Sequence, residues 1–210
     1  MQSNYAKIIR DNLSRAFSVD PVHLERRLGA QRKGTCIVFR ALGKVCALTR
    51  DGIFLDGEPE QGPLGIVISL YALHATDEPI ELEPFKAFKD FPNSMPYQGA
   101  FKANTEAPLI PYVEKIKECR EIILERFNGH EASAQLRGDM AFVLYPLPKV
   151  ALAYIFYLPD EEFPASAICL FSNNALCFLP LDGLADLGEY TSKAIVDLVT
   201  NHSKSGRNVS

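Results

Sequence analysis

The sequence has no run of basic residues and no apolar stretch long enough to cross a membrane. Lysine and arginine number 22 against 26 aspartates and glutamates, which gives a net charge of −4. Because nucleic-acid binding requires a clustered positive surface, we expect no nucleic-acid partner. The longest apolar run, LGIVISLYAL, is about half the length of a transmembrane helix, and the N-terminus lacks the apolar segment of a signal peptide. These absences predict a cytoplasmic protein without a membrane partner.

The sequence also lacks the patterns that hold metals or activate nucleophiles. Its five cysteines are scattered without a CxxC or CxxH pair, which four-cysteine zinc and iron–sulfur sites require. No histidine has a partner at ligand spacing, and the Gly-x-Ser-x-Gly and P-loop motifs are missing. We therefore predict no metal site and no cofactor, and we expect the cysteines to be buried thiols in a reducing compartment.

What is present indicates an α+β fold of mostly antiparallel β-sheet with flanking helices, helical at both its N- and C-terminal ends. We predict one domain over residues 1–202 and a flexible tail over 203–210. An Asp20-Pro21 start signal follows an opening helix and predicts a second one that ends at Gly29. A further helix is expected to begin at Pro63, in the apolar run.

The remaining elements follow from turn signals and apolar runs. Residues 35–62 predict a three-stranded meander. Residues 77–101 contain four prolines and five aromatic residues, which predicts an irregular, well-packed loop. The periodicity of Pro111–Phe127 predicts a helix. Four strands are then expected at MAFVLYPLP, ALAYIFYLP, SAICLF and ALCFLP, before a final helix capped by Asp182.

Four segments are similar to the pattern of an uncharacterised prokaryotic domain-of-unknown-function family, DUF3786. They are DEEFPASAICLF, FLPLDGLADLGEY, ISLYAL and FKDFPNSMPYQGAFK, and together they cover most of the chain from about Gly62 to Tyr190. Some members carry a cysteine-rich iron–sulfur module ahead of this domain, so the resemblance implies a link to anaerobic iron–sulfur or redox metabolism. Since this sequence has no such module, a redox role here implies a redox-protein partner. The sequence departs from the family pattern at Asp182-Gly183, where two acids are usual, and at Leu70, where a histidine is common.

Three consecutive acids, Asp160, Glu161 and Glu162, lie between two prolines and two apolar runs. Two carboxylates forced together would have one pKa raised, which suits a general acid or base. Alternatively, the acids form a solvated turn or accept backbone N–H groups between two buried strands. The adjacent Phe163 would hold Glu162 in place if the turn is part of a site.

A second candidate site is the aromatic loop over residues 77–101 and its continuation. Aromatic walls with a few basic groups are typical of a pocket for a flat, anionic ligand. The alternative is a second small core that covers the sheet. The predicted ligand-binding residues are Tyr71, Phe85, Lys86, Met95, Tyr97, Phe101, Lys102 and Phe163.

These features favour a non-catalytic module that binds a small molecule or acts as an accessory protein. In that hypothesis the aromatic loop and the acidic turn form the rim of one concave site. The alternative is an enzyme that uses Glu161 or Glu162 as a general acid or base. A third hypothesis is an interaction protein that docks onto a redox partner. The oligomeric state is left open.

Overall fold

Two antiparallel sheets of five strands each, with helices at both ends of the chain, confirm the α+β prediction. The computed structural model describes residues 4–133 and 135–205. No helix in these ranges is long and apolar enough to span a bilayer.

The two opening helices form as predicted. Helix α1 spans Asn4–Ala16 and α2 spans Pro21–Leu28. The Asp20 carboxylate caps α2 by accepting the Val22 N–H at 2.8 Å, and Gly29 ends the helix.

The first sheet is a meander in the order β1-β2-β3-β4-β5. Its strands are β1 (Gln31–Lys33), β2 (Cys36–Ala41), β3 (Lys44–Leu48), β4 (Ile53–Leu55) and β5 (Glu58–Glu60). The sheet has more strands than the predicted three, because the two edge strands, QRK and EPE, are polar and mostly exposed. They therefore lack the apolar alternation by which strands are recognised.

Helix α3 (Pro63–His74) begins at the predicted proline, and six of its 12 residues are buried. It packs against α1, where the Asn12 side chain donates a hydrogen bond to Ser69 Oγ at 3.0 Å inside the core. This bond satisfies two of the buried polar groups between the helices.

The chain between α3 and the helix that starts at Val113 is built of short pieces. These are β6 (Lys86–Ala87), 3-10 turns at Phe88–Asp90 and Met95–Tyr97, α4 (Gln98–Phe101), a π-helical turn (Lys102–Glu106) and a 3-10 segment (Ala107–Tyr112). The helix predicted over Pro111–Phe127 is instead α5 (Val113–Glu118) and α6 (Arg120–Arg126). They are separated by Cys119, whose ψ of 12° lies outside the α-helical range.

The second sheet has the order β6-β10-β9-β8-β7. Its other strands are β7 (His130–Glu131), β8 (Met140–Leu147), β9 (Val150–Tyr157) and β10 (Ser166–Phe171). The predicted strand ALCFLP is wrong, because this segment starts with a 3-10 turn over Ala175–Cys177. Backbone N–H groups here bond locally, as from Cys177 to the Asn174 carbonyl at 2.8 Å, and so do not form a ladder.

Helix α7 (Leu181–Ser205) is the last element that the structure describes. The predicted N-cap residue, Asp182, instead lies within the first turn of α7, so the helix begins earlier than predicted. Of the predicted tail, residues 203–205 continue α7, and 206–210 lie outside the described residues.

One buried cluster runs through both sheets and the helices, and it contains Phe39, Tyr71, Phe142 and Phe171. A smaller cluster around Val143, Ala151 and Ala153 packs against the segment that precedes β6. The second sheet is therefore covered on both faces, which fits its nearly continuous apolar strands.

Candidate functional site

The acidic turn is organised by Asp160. Its carboxylate oxygen Oδ1 accepts the N–H groups of Glu162 at 2.8 Å and Phe163 at 2.7 Å, and its own N–H donates to the Phe163 carbonyl. This is the role of a structural acceptor for backbone N–H groups. The side chains of Glu161 and Glu162 are exposed, and Phe163 is 66% exposed. Among the described residues, no group of three or more His, Cys, Asp or Glu is placed to hold a metal ion.

The aromatic residues of the predicted loop pack mainly in the core. Phe88 stacks on Phe101 with ring centroids 4.4 Å apart, and Phe171 of β10 lies 5.6 Å from both Phe91 and Phe101. All four rings are buried. Such edge and stacked contacts stabilise a core, and they leave these rings without a face open to a ligand.

The other predicted ligand-binding residues do not meet at one place. Tyr71 is fully buried, and its hydroxyl donates to the Leu28 carbonyl at 2.8 Å. Met95 and Tyr97 are 79% and 51% exposed on the protein surface. Lys86 lies in β6, Lys102 lies in the π-helical turn, and Phe85 lines a separate cleft of about 470 Å³.

A different concave site lies where the β2–β3 turn meets α3, α6 and α7. We call it the basic cleft; its volume is about 500 Å³. Its apolar floor consists of Leu42, Leu64, Phe127, Ala194 and Leu198. The polar side chains around this floor are Lys44, Arg126, Tyr190, Lys193, Asp197 and Asn201.

The charge of the basic cleft is positive on balance. Lys193 is paired with Glu189 on the same face of α7, and its amine lies 5.7 Å from the centre of the Tyr190 ring. In contrast, neither Lys44 nor Arg126 forms an ion pair within the part of the chain that the structure describes. Two cations beside an apolar floor are therefore available to an anion.

Arg126 is held in place by the tight β2–β3 turn. Gly43 has a φ of +72°, and a Cβ there would lie 2.7 Å from Cγ, Nε and the carbonyl oxygen of Arg126. Arg40 ties the two segments together, because its Nη2 donates to the carbonyls of Gly43 at 3.0 Å and Arg126 at 3.2 Å. The Leu42 N–H donates to the Pro146 carbonyl of the second sheet. The turn is thus fixed before any ligand arrives, which lowers the entropic cost of binding.

Tyr190 supplies a hydrogen-bond donor at the same wall. Partial burial raises the pKa of the Tyr190 phenol, and the carboxylates of Asp186, Glu189 and Glu60 raise it further. The phenol therefore stays protonated at neutral pH. The described lining thus combines apolar side chains with a few polar groups, a composition that suits binding and orientation of a small ligand.

Sequence reasoning missed the basic cleft. Its residues come from four segments separated by 20 to more than 60 positions along the chain, and each segment is unremarkable by itself. One partial signal was the Leu42-Gly43 turn, which predicts a hairpin but does not show what lies against it.

Comparisons with known proteins identify a family but no described activity. No curated protein and no solved structure matches the chain. One family model matches residues 20–194, and its description is Domain of unknown function (DUF3786). The match includes the β2–β3 turn, α3, α6 and the first part of α7, and so most of the basic cleft. The chain thus belongs to the domain-of-unknown-function family DUF3786.

Proposed function

We propose that the protein is a non-catalytic binding module that holds a small anionic molecule with an apolar body in the basic cleft. The observation that carries this proposal is the pair of cations, Lys44 and Arg126, that lie beside an apolar floor without ion-pair partners in the described ranges.

The size and lining of the cleft support a ligand of this class. Its volume of about 500 Å³ is within the range of small-molecule sites, which are mostly apolar with a few placed polar groups. Hydrogen bonds to a charged group contribute about 1.5–3 kcal/mol each. An anionic group between Lys44 and Arg126, with its apolar part on the half-buried Leu64 and Leu198, would use both parts of the lining.

A fluorescence titration with 8-anilinonaphthalene-1-sulfonate tests this function, because the probe joins an anionic sulfonate to an apolar ring system. We expect one saturable site in the wild-type protein. Lys44→Met and Arg126→Met should each weaken binding about tenfold, the equivalent of about 1.4 kcal/mol. The matched controls are Lys117→Met and Arg137→Met, which remove exposed cations away from the cleft.

Each variant is compared at equal folded fraction, since the same probe also binds loosened apolar surfaces. Equal affinities for the cleft variants and the controls would contradict the proposal. If the control substitutions weaken probe binding as well, the binding depends on the overall charge of the protein, which would also contradict the proposal.

The acidic turn is not used in this proposal. General acid–base catalysis requires a group held within hydrogen-bond reach of a bound substrate, whereas Glu161 and Glu162 are exposed on a turn that Asp160 organises. An accessory role beside a redox-protein partner, which the family resemblance implies, is compatible with ligand binding in the basic cleft and stays a prediction.

A further inference from the structure

A second cleft lies at the other end of the β2–β3 hairpin. It has a volume of about 610 Å³. The two clefts use opposite ends of the same strands, since Leu42 follows β2 and lines the basic cleft while Ile37 near the start of β2 lines the second one. Five residues of extended strand separate these positions by about 17 Å. The second cleft is therefore a distinct site, which we call the arginine cleft.

Two arginines in the arginine cleft are anchored by backbone carbonyls. Arg50 Nη2 donates to the carbonyl of Phe17, just after the end of α1, at 3.1 Å. Arg32 Nε donates to the Gly34 carbonyl at 3.0 Å, and the Arg32 backbone N–H is held by Glu25. One side-chain bond restricts each guanidinium, which has five N–H donors in total.

Neither arginine is neutralised by a carboxylate. In residues 4–133 and 135–205, Arg32 and Arg50 take part in no ion pair. Asp51 also lines the cleft, and the Thr49 hydroxyl holds its backbone N–H. Two arginines against one aspartate give this lining a net positive charge, with fork-shaped donors that match phosphate and carboxylate oxygens.

An apolar wall lies beside these donors. Phe54 is 37% exposed, and Phe17 and Ile37 line the same cleft but are buried. On β4 the neighbours Ile53 and Leu55 point into the core while Phe54 points to the opposite face. The exposed Phe54 ring, next to two anchored guanidinium groups, can stack on a flat ligand and cover one of its faces.

We infer that the arginine cleft is a second binding site, which takes a small oxyanion, a phosphate or carboxylate, attached to a ring. The guanidinium groups of Arg32 and Arg50 bind the oxyanion and Phe54 packs against the ring. This inference is independent of the function proposed for the basic cleft.

Calorimetric titration with phenyl phosphate tests it. The titration is carried out in the Lys44→Met/Arg126→Met background, so that the basic cleft does not contribute. We expect one site per chain, and Arg32→Gln should weaken its affinity for phenyl phosphate about tenfold. The side-chain hydrogen bond that this substitution removes, to the Gly34 carbonyl, lies within the β1–β2 hairpin. Arg15→Gln, which removes an exposed arginine outside the cleft, serves as the control and should leave the affinity unchanged. Inorganic phosphate, which has no ring, should bind more weakly than phenyl phosphate.

Three results would overturn the inference. They are the absence of binding heat in this background, an unchanged affinity in Arg32→Gln, and an affinity for inorganic phosphate equal to that for phenyl phosphate. A second variant, Phe54→Ala, reports on the ring alone. It should weaken binding of phenyl phosphate and leave that of inorganic phosphate unchanged.

Discussion

The contact between Gly43 and Arg126 allows a quantitative test of how the basic cleft is built. Replacement of Gly43 by alanine introduces a Cβ at a φ of +72°, 2.7 Å from the Arg126 carbonyl oxygen and side chain. A left-handed conformation costs an alanine about 1–2 kcal/mol. The contact adds a steric cost of about 1–3 kcal/mol, because a backbone carbonyl cannot rotate away as a side chain does. Gly43→Ala should therefore lower the free energy of unfolding by about 2–5 kcal/mol.

Gly34 provides the matched control. It also lies in a hairpin turn of the first sheet, with a φ of +63°, but a Cβ there meets nothing within 4 Å. Gly34→Ala should thus cost only the backbone part, about 1–2 kcal/mol. Urea denaturation of both variants measures the difference. Because the contact also displaces Arg126, only Gly43→Ala should weaken binding of the naphthalene sulfonate probe.

Equal losses of the free energy of unfolding in the two alanine variants, within about 0.5 kcal/mol, would refute a steric contact between Gly43 and Arg126. Wild-type affinity of Gly43→Ala for the probe would show that the position of Arg126 does not depend on the turn.

Three further predictions concern the rest of the fold. Burial raises the pKa of Glu106, which accepts a β10 backbone N–H at 3.0 Å. The protonated form is therefore favoured in the folded state, and the stability it contributes is lost as pH rises from the ordinary glutamate pKa through the higher folded pKa. Glu106→Gln should accordingly gain stability relative to wild type as pH rises above about 4 in urea denaturation, and a pH-independent difference would contradict this. Asp160→Ala should lower the free energy of unfolding by about 1 kcal/mol through loss of its bonds to backbone N–H groups. In contrast, Glu162→Gln, at an exposed position, should change it by less than about 0.5 kcal/mol. The reverse order in thermal melts would show that Glu162, and not Asp160, holds the turn together. Phe101→Ala should cost about 3–5 kcal/mol because it opens a cavity in the aromatic cluster, and a loss below about 1 kcal/mol would show that this ring is not part of the core.

Local signals in the sequence predicted the elements whose causes are local. Asp20 caps α2 and Pro63 begins α3 as expected, because each acts on backbone groups within one turn. The strand predicted at ALCFLP failed for a tertiary reason. The Asn174 side chain accepts the N–H of Glu81 and donates to the carbonyl of Pro79, and this fixes a turn at the start of that segment.

The candidate site depends on contacts between distant segments, and a single sequence does not display these. Aromatic residues of the loop after α3 predicted a pocket, but Phe101 packs on Phe88 and Phe171 because β10 lies beside them. Lys44 and Arg126 meet at one cleft because Arg40 joins the β2–β3 turn to the end of α6. Neither the spacing of Lys44 and Arg126 along the chain nor the residues around each of them indicates that they lie close together.

The most direct test of the central claim is amide NMR mapping of the naphthalene sulfonate probe on the uniformly ¹⁵N-labelled protein. The account predicts saturable shifts concentrated at residues 42–44, 126–127 and 190–198, which Lys44→Met reduces. Shifts that cluster elsewhere, or that Lys44→Met leaves unchanged, would contradict the assignment of the basic cleft as the binding site.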